Sequence, residues 1–253
     1  MKRTLFIIGL VAIFALVSSC NKDQPINIVP DAVDQPASLS EAIALGITSL
    51  PKTAPNMTTL TENKTQSGAI TWYTNKRSYL ESPGTRVLSK TEGFENGSVL
   101  PGGAIACPDP ANSSSNNACW TPGALVTGMD YFSDQSPSID GLALVGAGFL
   151  GNPTDNLVAN FFVQAFHIDI FPVDCGAVGI NSGSMDLIDY LGGGTVTVTL
   201  FDCSGGFLAS GVFLADPDGE FLGFNSTVSV GSISIDSVAD GAEGVDNLVV
   251  NKF

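Results

Sequence analysis

Thr195-Val196-Thr197-Val198-Thr199-Leu200 is the stretch that most restricts what this chain can become. Threonine and aliphatic residues alternate, so an extended backbone puts the three threonines on one face and Val196, Val198 and Leu200 on the other. That is the pattern of a half-buried strand, and its aliphatic face needs a second layer to cover it. Comparable runs occur at 124–132, 142–149, 157–162, 165–171, 207–213 and 233–238, separated by Gly or Pro turns. Cys203-Ser204-Gly205-Gly206 reads as the hairpin turn between two of them. Seven or more such strands can bury one continuous core, which predicts an all-β, antiparallel sandwich. The 28 glycines and the low charged fraction of 14% suit a sandwich with many tight turns better than a helical bundle.

The last stretch, Gly244-Val245-Asp246-Asn247-Leu248-Val249-Val250, reads as a closing strand in which apolar residues flank one carboxylate-amide pair. A partner for that carboxylate lies far upstream in Gly93-Phe94-Glu95-Asn96-Gly97. If the opening and closing strands lie side by side, Glu95 and Asp246 meet at one edge, and two hard oxygen donors there suit calcium. The alternative is that Asp246 and Asn247 satisfy a turn and Glu95 faces solvent.

The amino terminus carries a different signal. Lys2 and Arg3 form a basic region, residues 5–17 are an unbroken apolar run too short to span a bilayer permanently, and Val17-Ser18-Ser19-Cys20 places small residues before a cysteine. This pattern resembles the bacterial lipoprotein signal. The resemblance implies cleavage of residues 1–19 and lipidation of Cys20, with a diacylglycerol and an amide-linked acyl chain (palmitate-like) giving stable attachment. Cys20-Asn21-Lys22-Asp23 further resembles the start of lipoproteins from the Bacteroidetes group, which implies an outer-membrane or cell-surface location. Residues 20–68 are rich in Pro, Thr and Asn and read as a flexible tether. Within it, Ser38-Leu39-Ser40-Glu41 has the form of a capping box, but with Gly46 following and no partner face visible the helix it starts is expected to be marginal rather than docked.

The domain is expected to cover residues 69–253. Ile70-Thr71-Trp72-Tyr73 has strand composition, and Thr74 or Asn75 can cap one short helix over 76–81 before Pro83 and Gly84 end it. Residues 86–88 then lead into Glu92-Gly93-Phe94-Glu95. This opening, together with Phe221-Leu222-Gly223-Phe224, the apolar run 230–235 and the final Val245-Asp246-Asn247-Leu248, is similar in order and spacing to the β-jelly-roll domains of exported bacterial proteins that often bear a carboxy-terminal sorting tail. No apolar tail precedes Phe253, which agrees with anchorage at the other end. Carbohydrate-binding modules of jelly-roll type open and close in a similar way. That likeness implies a structural calcium, with Glu95 and Asp246 as ligands, Glu92 in reserve and backbone carbonyls completing the shell.

After Cys20, four cysteines remain, and an oxidising compartment favours two disulfides out of three possible pairings. Cys107 and Cys119 bracket a Pro, Asn and Ser-rich excursion, which favours that pair and leaves Cys175 with Cys203. Zinc is disfavoured, because there is no Cys-x-x-Cys and His167 is the only histidine. His167 and Asp169 share a strand face opposite Phe166, Ile168 and Ile170, the arrangement of a solvated face rather than of nucleophile-base machinery. Asp216-Pro217-Asp218-Gly219-Glu220 resembles a fragment of a calcium loop and equally reads as a turn.

Net charge is −15, and −17 once Lys2 and Arg3 leave with the leader. So acidic a chain repels phosphate backbones, which excludes nucleic acid as a partner and favours divalent cations. The function these features predict is that of a lipid-anchored surface protein with a noncatalytic, calcium-stabilised jelly roll. It would bind polysaccharide through an exposed face or loop ends, with Trp72, Trp120 and Tyr131 as stacking platforms. The alternative is a structural or adhesive envelope protein without a small ligand; a glycan-active hydrolase ranks third, since it needs two carboxylates facing each other across a cleft. Aromatics lining a groove would favour the first, buried aromatics the second.

Overall fold

A computed structural model describes residues 38, 39, 41, 65–82, 89–162, 164–170, 180–191 and 194–251. The leader, Cys20, most of the 20–68 stretch, residues 86–88 and Cys175 lie outside the described residues. β1 (Thr65–Ser67) and β2 (Ile70–Tyr73) open the sandwich, followed by the short helix α1 (Lys76–Leu80). Asn75 caps α1, its side chain accepting from the Ser78 amide at 3.1 Å, one of the two caps expected. The remaining strands are β3 (Ser89–Glu92), β4 (Ala104–Asp109), β5 (Met129–Ser133), β6 (Ser138–Val145), β7 (Asn156–Ala159), β8 (Phe166–Ile170), β9 (Ile180–Tyr190), β10 (Thr195–Asp202), β11 (Phe207–Leu214), β12 (Glu220–Ser237) and β13 (Ala242–Asn251). Every pairing between them is antiparallel.

The layers are joined through β12, which runs for 18 residues. Its first part pairs β9 on one side and β2 on the other, and its second part pairs β10 and β8. The exposed Thr227 and Val228 mark the change of partners. One layer therefore reads β1-β2-β12-β9-β13, with β13 extended by β3 at one end and by β7-β6-β4 at the other; the second reads β11-β10-β12-β8-β5. Just beyond β4, Ala111 bridges Tyr131 of β5, so the layers are also tied along that side. The result is a jelly-roll-like, all-β sandwich.

β10 shows how composition becomes packing. Val196, Val198 and Leu200 are fully buried, while Thr199 faces outward and its hydroxyl meets that of Ser210 on β11 at 3.0 Å. These aliphatics join Ile168, Ile233 and Ile235 from the same layer and Leu187, Leu222, Phe224 and Val245 from the other in one core. Cys107 and Cys119 are disulfide-bonded as the sequence suggested, with Cα atoms 5.9 Å apart. Cys203 is also disulfide-bonded.

A smaller apolar cluster covers the outer face where β6, β7, β9 and β13 meet, built from Val145, Phe149, Val158, Ile188 and Tyr190. Leu39 completes it and is fully buried. The Leu39 amide donates to the Asn160 carbonyl at 2.8 Å, Ser38 bridges Phe161, and the Glu41 amide donates to the Ser38 hydroxyl at 3.2 Å, the first half of the capping box. The expectation that this turn would stay undocked is therefore corrected. The acceptor face was invisible in the sequence because four separate strands assemble it. Residues 36–253 cluster as one compact unit.

Candidate cation-binding edge

β3 lies beside β13 with Glu92 opposite Leu248 and Ser89 opposite Asn251, so the opening turn at residues 93–96 runs on past Asn247 and Asp246. Both sides of this joint hold a non-glycine residue in the left-handed region: Phe94 at φ 58° and Asn247 at φ 48°. Asn247 sits at the bulge where β13 gains one residue over β9, between the pairs Asp246–Asp186 and Val249–Ser184. Asparagine tolerates that conformation better than most residues. Phe94 does not, and it is held there by full burial against Trp120 and Tyr131, with ring centroids 6.3 and 5.3 Å away. Such backbone costs about 1–3 kcal/mol and collects at functional joints.

The bulge gathers carboxylates. Asp246 is only 3% exposed; its Oδ1 accepts from the Asn247 amide at 2.6 Å, and its Oδ2 from the Thr154 hydroxyl and the Asn247 side-chain amide. That same side-chain amide donates to Asp186 Oδ2 at 2.9 Å, bridging two carboxylates paired across the strands. Burial pushes the Asp246 carboxyl up to about 6, opposed by the Thr154 and Asn247 hydrogen bonds and reinforced by the charges of Asp186 and Glu95. Glu220 is also raised, first by burial and then by Asp216, Asp186 and Asp218. Among the described residues no cationic side chain pairs with Asp186, Asp246, Glu95 or Glu220. Hard oxygens without a cationic partner are the donor set that calcium takes. The arrangement is an open edge, since among the described residues no three acidic, histidine or cysteine side chains converge on one point.

Glu92, the reserve ligand, does something else. Its Oε1 accepts from the Phe94 amide at 2.9 Å and its Oε2 from the Val126 amide at 2.6 Å, so a buried carboxylate ties two loops together instead of presenting oxygens to the edge. Nothing in the sequence marks Asp186 as the partner of Asp246, because that pairing depends on register between strands separated by more than 50 residues.

The three aromatic platforms are also corrected. Trp120 and Tyr131 are fully buried and Trp72 is 3% exposed. Trp72 packs on Phe213 and Phe224 at 5.0 and 6.2 Å, and Tyr131 stacks on Phe166 at 6.4 Å. Tyr131 takes the inward position of β5, and the Cys107–Cys119 bridge draws the neighbouring Trp120 into the core. His167 lies on the outer side of β8, as expected, where Phe132 stacks on it and its Nε2 lies 2.6 Å from Asp134 Oδ1. Ser234 of β12 stands opposite His167, but among the described residues no serine, threonine or cysteine side chain hydrogen-bonds to the ring. Asp216 to Glu220 form a turn closed by the Gly219 amide on the Asp216 carbonyl at 3.1 Å.

A shallow groove of about 430 Å³ lies beside α1, lined by Thr91, Ser184, Asp186, Phe221, Asn247 and Asn251 among others. No helix among the described residues is long and apolar enough to cross a membrane.

No family model matches this chain, and no curated protein does. Among solved structures, the K1 cleaved adhesin domain of Lys-gingipain from Porphyromonas gingivalis W83 is similar over 66% of this chain and 99% of that chain. The identity is 10% and the TM-score 0.24. The chemistry open to this chain therefore rests on its own residues: an acidic edge, a polar groove beside it, and Trp72, Trp120 and Tyr131 committed to the core.

Proposed function

We propose that this chain is a noncatalytic structural or adhesive module displayed at the bacterial cell surface, held by lipid on Cys20 and braced by calcium at the Glu95–Asp246 edge. The observation that carries the reading is the burial of Trp72, Trp120 and Tyr131, which removes the stacking platforms a carbohydrate-binding face needs. Calcium is supported by the carboxylates of Asp186, Glu95 and Asp246, the first two raising the third with no cationic side chain paired to them among the described residues, and by the strained backbone at Phe94 and Asn247, which a bridging ion would secure. Lipid attachment is supported by the sequence before Cys20.

The test compares cells carrying the full chain with cells carrying Cys20→Ser. The expected result is surface-accessible, detergent-extracted protein and cell attachment for the first, with both lost for the second. Equal attachment by the two, or hydrolysis of a glycan by the purified chain, would overturn the reading.

Polysaccharide binding remains as a second reading on one observation: the groove beside α1 offers Phe221, hydroxyls, amides and Asp186 together. A glycan array on the purified chain and on Phe221→Ala decides it. Signal that vanishes with Phe221→Ala supports binding there, and an array with no signal removes it.

A further inference from the structure

Two acidic pairs sit on the same two strands. Asp186 and Asp246 form the pair at the outer edge; three residues along, Asp189 stands opposite Glu243. An odd step along a strand reverses the face, so the second pair points inward, alongside Leu187 and Val245 of the main core, while Ile188, Tyr190 and Ala242 point to the outer cluster.

Glu243 is fully buried, and among the described residues neither of its carboxylate oxygens has a partner at hydrogen-bond geometry. Asp189 is buried beside it, its Oδ2 accepting from the Gly194 amide at 3.0 Å. Burial above all, with the charges of Asp189 and Asp236 adding to it, drives the Glu243 carboxyl up to about 10. The backbone amides of Glu243 itself and of Ser237 pull the other way, though neither reaches either oxygen with hydrogen-bond geometry. Among the described residues no Lys, Arg or His acts on Glu243. An interior carboxylate with no partner is several kcal/mol unfavourable, and a second carboxylate across the ladder makes it worse. A proton or a metal ion has to supply the missing positive charge.

We propose that Glu243 and Asp189 hold a second cation, enclosed between the layers, and that the ion is divalent and oxygen-preferring, of the calcium class. The donors available are all hard oxygens: the two carboxylates, the buried hydroxyls of Thr195 and Ser237, and main-chain carbonyls where β9 ends and β13 begins. The site lies roughly 10 Å along the strands from the outer edge and on the opposite face, so it is independent of the calcium proposed there.

Calcium titration of the full chain, stripped with chelator, tests this through ion stoichiometry and melting temperature in the wild type, Glu243→Gln, Asp189→Asn and Asp246→Asn. Glu243→Gln keeps the shape and removes the charge. The expected result is that Glu243→Gln and Asp189→Asn each lose one bound ion, or bind it at least tenfold more weakly, while Asp246→Asn keeps that ion. Loss with Asp246→Asn alone would leave the outer edge standing and overturn the inner site. Loss with Glu243→Gln alone, or with both inner variants, supports the inner site and leaves the edge to fail separately. If Glu243→Gln does not fold, the wild-type stoichiometry and Asp189→Asn still decide. A wild type that melts alike in calcium and chelator and binds no ion overturns the proposal, and the pair then shares a proton.

Discussion

Asp246 has a pH dependence of unusual sign. Its carboxyl is raised from 3.8 to about 6 in the folded chain, so between those values the native state holds more protons than the unfolded state. Stability contributed by this group therefore falls as pH rises through that window and is greatest below it. Thermal melts in chelator should show melting temperature dropping from about pH 4 to about pH 6 by this contribution, with the slope flattened in Asp246→Asn and offset by calcium. A rise across the same window that Asp246→Asn leaves unchanged would refute the assignment. Trp120 makes the complementary case for a residue whose chemistry suggested a ligand and whose position makes it core. Trp120→Ala should lose about 3–5 kcal/mol in urea denaturation, the range for deleting a large buried aromatic.

β9 and β13 dominate at the level of elements. Gly244 on β13 passes so close to β7 that a Cβ there would lie 2.1 Å from the Leu157 carbonyl oxygen and 2.5 Å from the Val158 Cα. Gly244→Ala should therefore cost at least about 1–3 kcal/mol, because the clash is with backbone and cannot be relieved by a rotamer. A change within about 0.5 kcal/mol in urea would show that β7 yields. The Cys107–Cys119 bridge spans 12 residues, and replacing both cysteines with serine should lower stability by about 3 kcal/mol on the chain-entropy account. β13 and β10 were legible because apolar residues alternate or flank a single polar pair. β9 was not, since Asn181, Ser182, Gly183, Ser184, Asp186 and Asp189 give it the composition of a loop; it is a strand because β12 and β13 pair with it on both sides. β4, with Pro108 inside it, is hidden in the sequence for a similar reason and survives at the end of the ladder.

Across the whole molecule, Leu39 links the segment ahead of the sandwich to its outer face. Leu39→Ala should reduce stability by about 2–5 kcal/mol, measured by denaturation of the full chain, because it opens a hole in a cluster with few other members. No change would mean that the contact is not maintained in solution. Sequence alone determined the fold class, the short capped helix, one disulfide and the adjacency of the opening turn to the last strand. Each of these follows from local periodicity, capping chemistry or the order of motifs. Which aromatics are buried, that Glu92 braces loops, that Asp186 faces Asp246, and that Glu243 is enclosed against Asp189 were decided by the tertiary structure alone. Those facts depend on register between strands distant in sequence, where a shift of one residue exchanges the inner face for the outer.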